Sequence, residues 1–189
     1  MLSERGELEP PPFWESLLSF GQPSAQEAAP YKKTLRALTA AAPKNGVGAD
    51  EPQQAEVEAA AVALQPYCPP GPAKSKLSGV WDLLYCTAPG GSSGKVGPFI
   101  GDVTQTFVDE TNFINSVDIF GLTVALEAER EIMDDRKVRV KFKQMAFSFL
   151  GLEFLRMPSK GVGVWEQLYV DGDLRVMRTP SLFVLSKRR

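Results

Sequence analysis

The sequence contains no histidine and only two cysteines among its 189 residues. Histidine is the side chain most used for acid–base catalysis near neutral pH, and it is the commonest metal ligand. The two cysteines, Cys68 and Cys86, cannot supply the four ligands of a structural zinc site. Catalytic arrangements of the Ser–His or Cys–His type are excluded because they need a histidine. We therefore expect no catalytic residue, no metal site and no cofactor.

The chain also lacks a strong excess of charge and a long apolar run. Its formal net charge is −2, and its lysines and arginines are dispersed, which argues against a nucleic-acid partner. No stretch approaches the roughly 20 apolar residues of a membrane-spanning helix. The acidic, proline-rich start resembles neither a secretory signal nor a transit peptide. Either the protein is cytosolic or the sequence begins beyond a targeting segment.

Proline-rich breaks divide the chain into three predicted parts. Residues 1–30 form an irregular extension with a short amphipathic helix. Residues 31–72 form a helical hairpin, with helices over 31–42 and 53–64, followed by a proline-rich hinge. Residues 73–189 form the main domain, and its size suffices for a core without disulfides or metal.

From residue 77 onward the apolar period changes to two, which is typical of β-strands. Eight short strands follow, and the alternating face of each begins at Trp81, Val103, Phe113, Leu122, Val138, Trp165, Leu174 and Leu182. Many short strands joined by tight turns form a meander, and about eight strands close most economically into a barrel. The predicted fold is therefore mostly β: an antiparallel barrel of about eight strands after a helical hairpin.

The interior of an eight-stranded barrel is either filled by side chains or holds one small ligand. Three of the inward positions carry amides: Gln105, Asn115 and Gln167. An unpaired buried amide costs roughly 1–3 kcal/mol, so these three either pair with one another and the backbone or form the polar floor of a cavity. An apolar ligand that enters opposite Trp81 would contact Leu83, Tyr85, Phe107, Phe113, Val124, Phe142 and Trp165.

One end of the barrel is predicted to be plugged. Gly79 and Trp81 open the first strand, and Arg175 and Arg178 lie near the C-terminus. A guanidinium over an indole contributes roughly 0.5–2 kcal/mol when partly desolvated. We expect one of these arginines to cover Trp81 and the other to lie on the surface.

Two apolar segments have a role that the sequence leaves open. One is the short helical face that carries Phe13, Trp14, Leu17 and Leu18, which docks on the domain, on a lipid surface or on a partner. The other is 145–155, the most apolar stretch of the chain. It forms a buried strand pair bent at Gly151, a flap over the barrel mouth, or a loop that touches a membrane.

Carboxylates and tyrosines are residues that could carry enzymatic chemistry. Asp171 and Asp173 flank Gly172 and predict a solvated hairpin turn instead of a catalytic or metal-binding pair. A cyclase or isomerase acting on a lipid would need an acid or a tyrosine inside the cavity. Only Tyr85 and Tyr169 lie within reach by alternation, so this hypothesis stays behind the non-enzymatic ones.

Several stretches, in this order and spacing, carry a resemblance to a known family: Leu-Ser-Gly-Val-Trp-Asp-Leu-Leu-Tyr-Cys-Thr at 77–87, the stretch that ends at Gln105, the strand at 112–117, and 165–187 with Tyr-Val-Asp-Gly-Asp-Leu-Arg-Val-Met-Arg. Together they resemble the plastid lipid-associated proteins, also called plastid fibrillins, over roughly 31–187. The signature positions in this chain are Gly79, Trp81, Leu84, Tyr85, Gln105, Asn115, Trp165, Tyr169, Asp173, Arg175 and Arg178.

The resemblance implies a lipocalin-like barrel, location in the chloroplast on plastoglobules or thylakoids, and binding or organising of lipids, prenylquinones or carotenoids. The leading hypothesis is thus a non-enzymatic protein that binds a hydrophobic small molecule at a membrane or lipid-droplet surface. The alternative is a structural protein that coats lipid droplets or thylakoids through its two apolar segments while its barrel is filled.

Overall fold

A computed structural model describes residues 24–189 of the chain. The predicted helical face with Phe13 and Trp14 lies outside the described residues. Within them, the chain forms two helices, then a closed barrel. No helix in this part of the chain is long and apolar enough to cross a bilayer.

The two helices, α1 (Ala25–Ala41) and α2 (Glu51–Leu64), both begin with capping boxes. In α1, Ser24 and Glu27 satisfy each other's backbone amides, which starts the helix at Ala25 and not at residue 31 as predicted. Pro30 lies inside this helix. It removes one hydrogen bond, to the carbonyl of Gln26, and Gln26 is exposed, so this carbonyl can bind water.

Eight antiparallel strands form the closed barrel, in the order β1-β10-β9-β8-β7-β6-β5-β4. The strands are β1 (Gly79–Cys86), β4 (Asp102–Phe107), β5 (Asn112–Ile119), β6 (Leu122–Ile132), β7 (Lys137–Phe149), β8 (Leu152–Val170), β9 (Leu174–Arg178) and β10 (Leu182–Lys187). A small hairpin of β2 (Lys95–Val96) and β3 (Phe99–Ile100) lies between β1 and β4. The predicted fold, a helical hairpin before an antiparallel barrel, is confirmed.

The barrel closes because β1 pairs on both of its edges. Trp81 lies opposite Lys187 of β10 on one side and opposite Gln105 of β4 on the other. Closure leaves β1 with no free edge, which removes the hydrogen-bonding groups that would otherwise invite aggregation.

The buried residues form two separate cores. The first lies inside the barrel and contains Trp81, Phe107, Phe113 and Trp165. The second lies between the helices and the outer face of β1, β8, β9 and β10, and joins Leu35 and Leu64 to residues of those strands. Four strands are therefore covered on both faces, as the helical hairpin packs against the outside of the barrel.

The apolar segment 145–155 is a strand pair with its turn at Leu150-Gly151, but it is not buried. It forms the end of β7 and the start of β8. Leu150 is 74% exposed, and Phe149, Leu152 and Phe154 are exposed as well. The prediction of a strand pair bent at Gly151 is confirmed, whereas its burial is wrong. β8 pairs with β9 only over 166–170, so its first part has β7 alone as a partner.

An ionic cluster fastens α1 to the turn between β8 and β9. Lys32 Nζ donates to Asp171 Oδ2 at 2.5 Å and also bonds Asp173, and Tyr169 OH donates to Asp171 at 2.6 Å. Burial by itself would raise the pKa of the Asp171 carboxyl, but the hydrogen bonds from Lys32 and Tyr169 outweigh it and hold this pKa below its usual range. The side chain of Asp171 is 19% exposed, so the predicted solvated turn is wrong at this residue.

Replacing Asp171 with Asn is expected to lower the free energy of unfolding by about 1–3 kcal/mol at neutral pH, because Lys32 loses a charged acceptor. A carboxyl with a lowered folded pKa stabilises the protein above its unfolded pKa of about 3.9, and this contribution is lost as the pH falls toward the folded value. The difference between wild type and variant should therefore shrink by about 1 kcal/mol between pH 7 and pH 3.

Urea unfolding at the two pH values measures this difference. Asp135→Asn is the matched control, because Asp135 pairs with Lys74 in an exposed bridge and should contribute less than about 1 kcal/mol at either pH. A wild-type advantage over Asp171→Asn that stays constant down to pH 3 would contradict the role given to Asp171.

Candidate ligand-binding site

The centre of the barrel interior is occupied by a buried arginine. Arg175 of β9 is 1% exposed. Its Nε donates to Gln167 Oε1 at 2.9 Å, and its Nη1 donates to Gln105 Oε1 at 2.6 Å. The guanidinium lies 5.3 Å from the ring centre of Phe107 and 5.9 Å from that of Trp165. Two amides and two aromatic rings thus hold a positive charge inside an apolar core.

No carboxylate of residues 24–189 pairs with this charge. The ion pairs found within residues 24–189 do not include Arg175. Burial, followed by the charge of Arg130, lowers the pKa of Arg175. The second buried guanidinium, that of Arg130, therefore repels Arg175, although a buried charge usually has a partner of opposite sign. The interior around Arg175 stays electropositive.

The amides of the barrel interior match neither of the two predicted arrangements fully. Gln105 and Gln167 do not bond each other, because each accepts its hydrogen bond from Arg175. Gln167 Nε2 and Asn115 Oδ1 are buried and have no partner among residues 24–189. The hydrogen-bonding capacity of these amides is therefore only partly used within residues 24–189.

One end of the barrel is closed, and Trp81 lies there. Trp81 is fully buried, and its indole Nε1 donates to the carbonyl of Leu77 at 2.9 Å. Arg130 of β6 donates to the carbonyl of Glu110 at 2.7 Å and to that of Ser75 at 3.3 Å. It thereby ties the segment that precedes β1 to the turn between β4 and β5. We refer to this as the closed end.

The predicted stack of an arginine on Trp81 does not form. The cation over the Trp81 ring is Lys187, whose Nζ lies 5.7 Å from the ring centre, because β10 pairs directly with β1. Arg175 faces the interior but lies over Phe107 and Trp165. Arg178 bonds Glu58 of α2 on the outside of the barrel, which matches the expectation that one arginine lies on the surface. Gly79 is exposed at the start of β1.

At the opposite end of the interior, the inward side chains are partly exposed. Inward residues next to Trp81 are buried, whereas those further along β5, β6 and β7 are only half-buried. The pairs Asn115–Leu126 and Val117–Val124 continue the face of Phe113, and β7 extends it with Met145 and Phe147. Phe142 also points inward and is half-buried. We refer to this as the open end.

The rim of the open end carries exposed apolar side chains on tight turns. Phe120, at the turn from β5 to β6, is 83% exposed and stacks edge-on with Phe99 of β3. The neighbouring turn carries Leu150, and the two turns touch, because the amide of Leu150 donates to the carbonyl of Gly121 at 2.8 Å. The φ angles of Phe120 and Leu150 are +52° and +49°. Bulky residues rarely adopt this conformation, which favours Asn or Gly.

Most predicted site residues lie inside the barrel, but one does not. Those buried together near the closed end are Leu83, Gln105, Phe107, Phe113, Trp165 and Gln167, and those nearer the open end are Asn115, Val124 and Phe142. Tyr85 is the exception. A bulge between Leu83 and Tyr85 turns Tyr85 to the outer face, where it packs under the helices.

The same effect weakens the enzyme hypothesis. A bulge between Gln167 and Tyr169 places Tyr169 in the outer core as well. Neither tyrosine proposed as a catalytic group therefore faces the interior. Within residues 24–189, no group of three or more Cys, Asp and Glu side chains is placed to hold a metal ion.

Sequence reasoning missed Arg130, Lys187 and the exposed Phe120. Arg130 continues the inward alternation of Ala128, and following this alternation to the end of β6 would have found it. Lys187 could not be found without the pairing of β1 and β10. Phe120 and Leu150 each precede a glycine in a turn, which is a usable signal of an exposed apolar tip.

Comparison with protein families agrees with this architecture. A family model described as PAP_fibrillin matches residues 30–186. The chain belongs to the PAP_fibrillin family. Membership confirms the resemblance to plastid fibrillins and indicates a plastid lipid-associated protein with a barrel. Proteins of this family are in general non-enzymatic. No curated protein and no solved structure matches the chain.

The contacts of the amides predict opposite effects of two similar substitutions in lipid-free protein. Gln167→Leu removes an acceptor of Arg175 and should lower the free energy of unfolding by about 1–3 kcal/mol. Asn115→Leu removes an oxygen without a partner and should be neutral or stabilising by about 1 kcal/mol. Urea unfolding of both variants tests this. Equal destabilisation would mean that Asn115 has a partner of its own.

Proposed function

We propose that this protein is a non-enzymatic carrier that takes one hydrophobic small molecule into the open end of its barrel. The observation that carries the proposal is the contrast between the two ends. The closed end is buried down to Trp81, whereas inward apolar residues such as Val124 and Phe147 are half-buried toward the open end. Apolar burial contributes about 25 cal/mol per Å², so a long tail supplies affinity without charge pairing.

We further propose that the rim rests on a lipid surface. Exposed apolar side chains on two adjoining hairpin turns cannot be explained by packing within residues 24–189. Both Phe120 and Leu150 hold a conformation that costs energy for bulky side chains. A lipid phase would take up these side chains and place the open end against the store of ligand.

The family supports a plastid location, and plastoglobules or thylakoids are the surfaces that we propose. Lipids, prenylquinones and carotenoids, the ligand classes that the family resemblance implies, are the ligands that we propose. The alternative function is a structural coat in which the rim binds the lipid surface while the barrel holds no exchangeable ligand. The closed end of the interior is filled by buried side chains, and this favours the alternative in part.

A pair of adjacent residues on β6 tests the carrier function. Val124 faces the interior and Thr123 faces outward, where its hydroxyl donates to Asp118. In delipidated protein, Val124→Phe should weaken binding of a benzoquinone with a decyl side chain by at least about tenfold, because the larger ring narrows the open end. Thr123→Phe should bind like wild type. Retention of the quinone on gel filtration measures the loss.

If wild-type protein takes up no quinone, carotenoid or fatty acid, the carrier function is wrong and the alternative of a structural coat on the lipid surface remains. If both variants bind like wild type, the ligand lies outside the barrel.

A second experiment separates lipid contact from folding. Phe120→Asn and Leu150→Asn place a residue suited to positive φ in each turn, so stability should be unchanged or should rise by up to about 1 kcal/mol. Flotation with galactolipid vesicles should nevertheless fall several-fold in each variant, because an apolar contact is lost. Val108→Asn, at an exposed valine near the closed end, is the control. Undiminished flotation of the two rim variants would refute the lipid contact.

A further inference from the structure

The buried charge of Arg175 is unexplained by the fold. An arginine on a β-strand usually extends its guanidinium to water, but Arg175 is enclosed in the interior. The charge of Arg130 repels it. The partners of Arg130 are backbone carbonyls, so this residue brings no negative charge into the barrel. Within residues 24–189, Glu110 attracts Arg130, whereas no carboxylate pairs with Arg175.

The donors of this site are only partly used. A guanidinium has five N–H groups, and the hydrogen bonds of Arg175 employ Nε and Nη1. Its Nη2 has no acceptor among residues 24–189. The adjacent Gln167 Nε2 is also a buried donor without an acceptor. Because Arg175 and Gln167 are hydrogen-bonded to each other, two neighbouring side chains both have donor capacity that an oxygen acceptor could use.

Cross-strand pairs lead from this place toward the open end. Gln105 pairs across strands with Asn115, and Asn115 pairs with Leu126. Leu126 and Val124 are half-buried and inward, and Phe147 continues their face toward the rim. A molecule with an oxygen-bearing head beside Arg175 would lay its tail along this apolar face.

We propose that the ligand is a single-chain amphiphile with a carboxylate head, which is bound by Arg175 and Gln167 while the tail points to the open end. This inference rests on the proposed carrier function and specifies its ligand class. A planar carboxylate matches the fork of a guanidinium and would supply the negative charge that the interior lacks. A neutral quinone would satisfy the donors but leave the charge uncompensated.

The test compares the binding of parinaric acid and of its methyl ester to delipidated full-length protein. The fluorescence of both probes rises when their tail is buried. The two probes share one tail and differ in the charge of the head. Hydrogen bonds to a charged group predict that wild type binds the acid at least about tenfold more tightly than the ester. This arm needs no variant, so it does not depend on how a substituted barrel folds.

Two variants on β9 locate the effect. Arg175→Met replaces the cation with an unbranched apolar side chain, and replacing buried charged groups with apolar residues is often neutral or stabilising. It should bring the ratio of acid to ester affinity close to one. Arg178→Met removes an arginine three residues away on the outer face and should keep the wild-type ratio.

Equal binding of acid and ester by wild type would overturn the carboxylate head and leave the carrier function standing. A wild-type preference for the acid that persists in Arg175→Met would place the head elsewhere and also overturn the inference. If wild type binds neither probe and does not bind the decyl quinone, the carrier function itself is rejected.

Discussion

Because β1 closes the barrel, the strands under the helical hairpin are buried on both their inner and their outer face. Once β1 pairs with β4 and β10, the helical hairpin can pack only on the outside, and it covers β1, β8, β9 and β10 there. In β9, Leu174 and Val176 face the helices while Arg175 and Met177 are buried on the other face. The remaining strands, β4 to β7, keep a solvated outer face, with Lys141 and Lys143 on β7.

This two-sided burial explains why Arg175 cannot reach water. On a strand with one solvated face, a long arginine side chain could bend around the edge and leave its charge outside. β9 has partners on both edges and a helical layer behind it, so its inward side chain stays in the interior. The charge is thus held in place by the same pairing that closes the barrel. Its stabilisation must come from groups inside, and the two amides and two rings supply only part of it.

The sequence predicted the strands well because alternation is strong where only one face is buried. Residues Gln105, Phe107 and Phe113 were placed inward correctly, since β4 and β5 carry no bulge in their pairing. Alternation failed at Tyr85, where a single extra residue reverses the faces, and nothing local in Leu83-Leu84-Tyr85 marks this bulge. The cation on Trp81 was misassigned for another reason: Lys187 is distant in sequence and becomes a neighbour only after closure.

The two ends of the barrel place opposite demands on the chain. At the closed end, Trp81 and Arg130 satisfy their polar groups on backbone carbonyls, so this end can stay dry and rigid. At the open end, the strands run on past their neighbours and finish in turns whose apolar residues face outward. A tail that passes from a lipid phase over Phe149 and Phe147 toward Arg175 would contact apolar side chains along its whole course. These contacts would make the free-energy barrier to transfer lower than for release into solution.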